Sequence, residues 1–155
     1  TDPEAVLASL EGTLREELAT TEMFITAFYG IIDRKARTLR YANTGHPHAF
    51  HVSGDGSIER LPAIDPPLGM VEGLPHARSR PWTPGTDLLV LFTDGVSDAT
   101  NRFGVRLGEQ PVLDIVHRYR TETPAAISQR VFEELNEHTG EAVQRDDLAV
   151  ELARS

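Results

Sequence analysis

The segment Asp87-Leu88-Leu89-Val90-Leu91-Phe92-Thr93-Asp94-Gly95-Val96-Ser97-Asp98 constrains this chain more than any other: an apolar run ends abruptly in a carboxylate, a glycine and a second carboxylate. Burial accounts for the run but not for its end. A strand of this composition crosses a hydrophobic core and sets Asp94 at its mouth, where Gly95 allows a turn or the close approach of a ligand. Chemistry is expected there.

The rest of the chain supplies a frame for that strand. The apolar residues Val6, Leu7, Leu10, Leu14 and Leu18 recur at helical spacing from Pro3 to about Ala19, with Asp2 as a cap and Pro3 suited to the first turn. Met23–Asp33 is rich in aromatic and β-branched residues and predicts a mostly buried strand, joined through Arg34–Arg37 to a second strand, Thr38–Asn43, that puts Leu39 and Tyr41 on one face. A further hairpin is expected from Pro47–Val52 through Gly54-Asp55-Gly56 to Ser57–Leu61. Pro62, Pro66, Pro67, Gly69 and Gly73 mark a surface loop. Amphipathic spacing predicts helices over about Pro111–Arg120 and Pro124–His138, the second stopped by Gly140, and a half-buried strand over Asp147–Leu152. Hairpin-built sheets covered by helices fit this order better than a βαβ nucleotide-binding fold.

Composition removes several function classes. The 155 residues suit one domain with a real core, and a net charge of -9 repels a phosphate backbone, so nucleic acid is not an expected partner. With no cysteine, thiolate nucleophiles, CxxC redox pairs and Cys-ligated zinc or iron–sulfur sites are excluded within the chain. No dinucleotide GxGxxG, Walker loop or internal repeat is present. No stretch is long and apolar enough to span a bilayer, and the opening residues do not read as a signal peptide, so a cytoplasmic setting is expected.

Asp94 and Asp98 stand four positions apart, and a second acidic pair, Asp146-Asp147, precedes the final strand. Carboxylates meeting at two strand ends can hold Mg²⁺ or Mn²⁺, which take hard oxygen ligands and bind phosphate oxygens in the same sphere. The same residues can equally be a polar turn, a cap and a solvated strand entrance. His46, His48 and His51 do not form a zinc trio on strand geometry, because His51 points opposite to the other two and Pro47 interrupts the strand; packing or a surface polar contact is expected of them.

The ordered set Phe28-Tyr29-Gly30-Ile31-Ile32-Asp33, Leu39–Pro47, Pro66-Pro67-Leu68-Gly69-Met70, Phe92–Asp98 and Arg145–Val150 closely resembles the bacterial PP2C-like, metal-dependent protein phosphatases of the stage II sporulation and sigma-regulatory type. The resemblance spans nearly the whole chain. It implies an α+β fold, an α-β-β-α sandwich of antiparallel sheets flanked by helices, with residues 1–155 forming one partial domain. By position, Asp94 is similar to the metal-coordinating carboxylate of the family's TDG or SDG motif, and Gly95 to its turn residue. Asp146 resembles the late metal ligand of the DD or DN motif, and Asp147 its hydrogen-bonding neighbour. Asp98 matches a position that serves an additional, weaker metal in some relatives. Asn43-Thr44-Gly45-His46-Pro47 resembles the NAGH element, with threonine in place of alanine.

The family's opening strands and early glycine–aspartate segment, whose carboxylate bridges two metals, have no matching positions here. The resemblance therefore implies a domain incomplete at its N-terminus, with exposed sheet edges and impaired catalysis when alone. For the complete protein it implies two Mn²⁺ or Mg²⁺ ions activating a bridging water for hydrolysis of phosphoserine or phosphothreonine on a regulatory protein, such as an anti-sigma factor antagonist in a stress response, with an upstream sensor domain as a further possibility. Leu61–Leu74 is the candidate docking loop. Two alternatives stay open: a noncatalytic PP2C-like regulatory or protein-binding domain, and a metallohydrolase acting on a small phosphorylated molecule in a deep pocket.

Overall fold

The computed structural model describes residues 2–70, 73, 75–140 and 149–155. They form two compact units, one of residues 1–47 and 61–84 and the other of 48–60 and 85–155.

In the first unit, helix α1 (Pro3–Thr21) starts as expected: Asp2 stands in extended backbone and accepts a hydrogen bond from the Glu4 N–H, while Pro3 occupies the first turn. It stops at Glu22, whose left-handed backbone (φ 53) returns its N–H to the Leu18 carbonyl. Of the apolar stripe, Leu7 and Leu18 are buried, whereas Leu10 is exposed. Strands β1 (Ala27–Asp33) and β2 (Thr38–Thr44) form the expected antiparallel hairpin, closing at Asp33↔Thr38. The Asp33 carboxylate stabilises the turn by accepting the Lys35 and Ala36 N–H groups, both at 2.9 Å.

Two expectations need correction here. The strand does not begin at Met23: Met23 and Phe24 stand exposed, and Ile25 instead makes an isolated bridge to Leu68. Nor is β1 mostly buried, because it is an edge strand of a three-stranded sheet with β2 at its centre and none of its residues is fully buried. Strand β5 (Arg78–Pro81), which pairs antiparallel with β2, gives no apolar periodicity in sequence; it is an exposed edge ending in proline, a place that tolerates a missing N–H donor.

In the second unit a four-stranded antiparallel sheet runs β4-β3-β6-β7, with β3 at Ala49–Val52, β4 at Ile58–Arg60, β6 at Leu88–Phe92 and β7 at Val150–Ala153. The apolar run is its central strand, as expected: Val90 lies opposite Phe50 on one side and Leu152 on the other. Helices α3 (Gln110–Arg118) and α4 (Pro124–Thr139) supply Val112, Val116, Ile127, Val131 and Leu135 to a core shared with Phe50, Val52, Leu88, Val90 and Phe92. Thr123 caps α4 by accepting the Ala126 N–H, and Gly140 ends it at φ 73, the backbone region that glycine enters without penalty. Between β6 and α3, Asp94–Ser97 forms a single helical turn, α2. The Asp-Gly pair is thus the start of a helix and not a hairpin turn, with Thr93 in extended backbone as its N-terminal boundary.

Candidate functional site

Strand β6 carries the chain through the second unit's core and delivers Asp94 as the first residue of α2, its side chain 68% exposed. The carboxylate has a partner that the sequence did not reveal. His48, immediately before β3, is buried; its Nε2 lies 2.6 Å from Asp94 Oδ1 and its Nδ1 lies 2.5 Å from Glu109 Oε2. A neutral imidazole donates from one nitrogen and accepts at the other, whereas the protonated ring donates from both. Ser97 Oγ approaches the same Nε2 at 3.2 Å.

Two groups of contacts fix the ring. Its face stacks on Phe92 with centroids 4.7 Å apart, and Phe92 stacks in turn on Phe50 at 5.8 Å. The His48 carbonyl accepts the Phe92 N–H at 3.1 Å, which ties the residue to the end of β6. On the far side, Arg60 grips Glu109 with both guanidinium nitrogens, Nη1 reaching Oε2 at 3.0 Å, while its guanidinium lies over the Phe50 ring at 4.7 Å. Hydrogen bonding from the Arg60 guanidinium, with smaller contributions from the His48 hydrogen bond and the Arg60 charge, holds the Glu109 carboxyl below the usual glutamate range against the opposing effect of its burial.

The remaining expected residues divide. Asp98 is the C-cap of α2, its N–H returning to the Asp94 carbonyl, and its exposed carboxylate faces Arg106 at 3.4 Å. Asp146 and Asp147 lie outside the described residues. Among the described residues no three His, Asp or Glu side chains are grouped as a metal site. The donor chemistry at Asp94 nevertheless suits a hard divalent cation: it is an exposed strand-end carboxylate with one oxygen on His48 and a second oxygen on the same carbon. His51 takes another course, burying its ring against Asp87 at 2.8 Å, and Asp87 also accepts the Gly54 N–H. His48 and His51 are therefore buried carboxylate partners, which alternation along one strand could not indicate.

In the first unit the NAGH-like element is a backbone bracket. The buried Asn43 side chain accepts the His46 N–H at 2.8 Å and donates to the carbonyls of His46 at 2.9 Å and Leu61 at 3.1 Å. Its own carbonyl accepts the N–H groups of Ile64 and Asp65, and Gly45 (φ +78) lies so close to Pro67 that a Cβ there would fall 2.6 Å from the proline Cγ. Two motifs separate in sequence, Asn43–Pro47 and Pro66–Met70, thus meet in the fold.

Comparison with known proteins agrees with this architecture. The solved SiaA-PP2C domain of Pseudomonas aeruginosa superposes with a TM-score of 0.83 at 23% identity, covering 99% of this chain and 61% of that one, which defines the fold as that of a PP2C-like domain. Residues 1–155 match the family described as Stage II sporulation protein E (SpoIIE), and the chain belongs to that family of PP2C-like phosphatase domains. Protein IcfG of Synechocystis sp. is 30% identical over 130 residues, which is 83% of this chain and 20% of that protein. Phosphoserine phosphatase RsbP of Bacillus subtilis is 38% identical over 77 residues, covering 50% of this chain and 19% of the relative. The chain thus spans about one fifth of the length of these relatives. Solved structures of the same fold are described with magnesium, for RsbX, and with two manganese ions, for the phosphatase PstP. Among the described residues, no helix is long and apolar enough to cross a membrane.

Proposed function

We propose that residues 1–155 are one partial PP2C-like domain with a regulatory, protein-binding role, and that they do not by themselves hydrolyse phosphate esters. The observation that carries this reading is the bond from His48 to Asp94: the exposed carboxylate at the end of β6 is set by a buried side chain and is presented on the surface of the second unit. Asp98 is engaged by Arg106. The partner is a regulatory protein, and the segment 61–74, of which Val71, Glu72 and Leu74 lie outside the described residues, is a docking element. The setting is cytoplasmic.

A second reading concerns the full-length protein carrying this chain: metal-dependent hydrolysis of phosphoserine or phosphothreonine on a regulatory protein of the anti-sigma factor antagonist type. It is favoured by the exposed hard oxygens of Asp94 and by the likeness to RsbP, which is named a phosphoserine phosphatase. Asp94 and Asp146 would hold Mn²⁺ or Mg²⁺, with Asp98 as a weaker ligand and carboxylates from outside the chain completing the centre. Asp146 stands three positions before Ala149, whose backbone bonds Thr93 beside Asp94. The metal would supply an activated water and charge stabilisation at the phosphate oxygens.

The test compares the 155-residue chain with the full-length protein, using a phosphoserine-bearing regulatory protein and Mn²⁺. Binding without phosphate release by the chain is expected, together with Mn²⁺-dependent release by the full-length protein. Release by the chain alone overturns the first reading; no release by the full-length protein overturns the second.

A further inference from the structure

We infer that His48 is a positioning residue for Asp94, part of a relay Arg60–Glu109–His48–Asp94 that fixes one carboxylate oxygen and leaves the other to face a divalent cation. This inference rests on the metal-dependent reading. An exposed aspartate samples several rotamers, and holding it in one costs side-chain entropy each time a ligand binds. Here that cost is met in the fold. The imidazole is buried, stacked on Phe92 at 4.7 Å, and anchored at Nδ1 by Glu109 at 2.5 Å, so its Nε2 reaches Asp94 Oδ1 from a fixed point at 2.6 Å.

The anchor is itself anchored. Arg60 takes both Glu109 oxygens and rests over Phe50, so a series of three side chains, from β4, the residue before α3 and the residue before β3, ends on the Asp94 carboxylate. Ser97 Oγ, 3.2 Å from Nε2 and 3.3 Å from the Asp94 carbonyl, joins the ring to the same helical turn. Partners that hydrogen-bond a ligating carboxylate set its direction and basicity, and losing one typically weakens metal affinity by about 10–100-fold.

The experiment measures Mn²⁺ affinity of the full-length protein by electron paramagnetic resonance of free Mn²⁺, with the thermal midpoint as a folding control. His48→Phe keeps the stack on Phe92 but has no nitrogen, and is expected to weaken Mn²⁺ binding by about 10–100-fold with little change in midpoint. His48→Gln, whose amide can still donate to Asp94, is expected to recover most of the loss. Combining His48→Phe with Asp94→Asn should weaken binding no further than Asp94→Asn alone, because the histidine acts through that carboxylate. Should His48→Phe unfold, Glu109→Gln carries the test, with an expected loss of about tenfold. Unchanged Mn²⁺ affinity in a folded His48→Phe or Glu109→Gln protein overturns the relay; a wild-type protein that binds no Mn²⁺ overturns the metal-dependent reading itself.

Discussion

Thr93 and Ala149 are bonded twice: the Thr93 N–H donates to the Ala149 carbonyl at 3.1 Å, and the Ala149 N–H donates to Thr93 Oγ1 at 3.2 Å. The pair extends the β6–β7 ladder one step beyond Phe92↔Val150, to the residue just before Asp94. Thr93→Val keeps the shape and removes the hydroxyl acceptor. A loss of about 1 kcal/mol in urea unfolding is expected, the usual net worth of one such bond.

Asn43→Ala removes the bracket on His46 and Leu61 and takes the Asn43 donor from the carbonyl of the buried Leu61. Stranding a buried polar group costs about 1–3 kcal/mol, and a loss in that range is the expected result of chemical denaturation. A neutral outcome would remove Asn43 from the structural role assigned to it.

Gly45→Ala combines two penalties: a positive φ and a Cβ 2.6 Å from Pro67 Cγ on a stiff ring. Destabilisation above about 1 kcal/mol is expected. The relaxing variant Pro67→Ala, paired with Gly45→Ala, should recover the steric part but not the backbone part, and a thermal melt of both variants separates the two.

The Glu109 carboxyl is held low in the folded state, chiefly by Arg60. A depressed folded value means that this stabilisation is present above the ordinary glutamate range, near about 4.3, and is lost as pH falls through the folded value. Wild type should therefore be more stable than Glu109→Gln at neutral pH, with the difference shrinking as the medium is acidified below the ordinary glutamate value. Melting curves of both proteins across that range give the comparison, and a gap that widens on acidification would contradict the assignment.

Leu135, fully buried on α4 against the second unit's sheet, tests the core. Leu135→Ala should cost about 2–5 kcal/mol, the range for a buried leucine whose cavity cannot fully collapse.

What the sequence made legible follows physical signals that are local. The unbroken apolar run from Leu88 to Phe92, the helical spacing of Ile127, Val131 and Leu135, and Gly140 at a helix end each state their structure within a few residues. Strand β5 stayed hidden because Arg78-Ser79-Arg80-Pro81 buries too little to leave a periodic trace. The strand after α1 began late because Met23 and Phe24, apolar by type, are exposed. The site was half legible. Asp94 was placed by the end of its strand, but His48 and Glu109 are 46 and 61 positions away from the groups they meet or share, and only register brings them together. Pairing over such separations leaves no local pattern.

The most direct measurement follows phosphate release from a phosphoserine-bearing regulatory protein in the presence of Mn²⁺. It compares the 155-residue chain, the full-length protein and the full-length Asp94→Ala variant. The expected result is binding without release by the chain, release by the full-length protein, and a strong fall in the variant with its fold intact. Release by the chain alone, or full release by Asp94→Ala, would contradict the roles given to these residues.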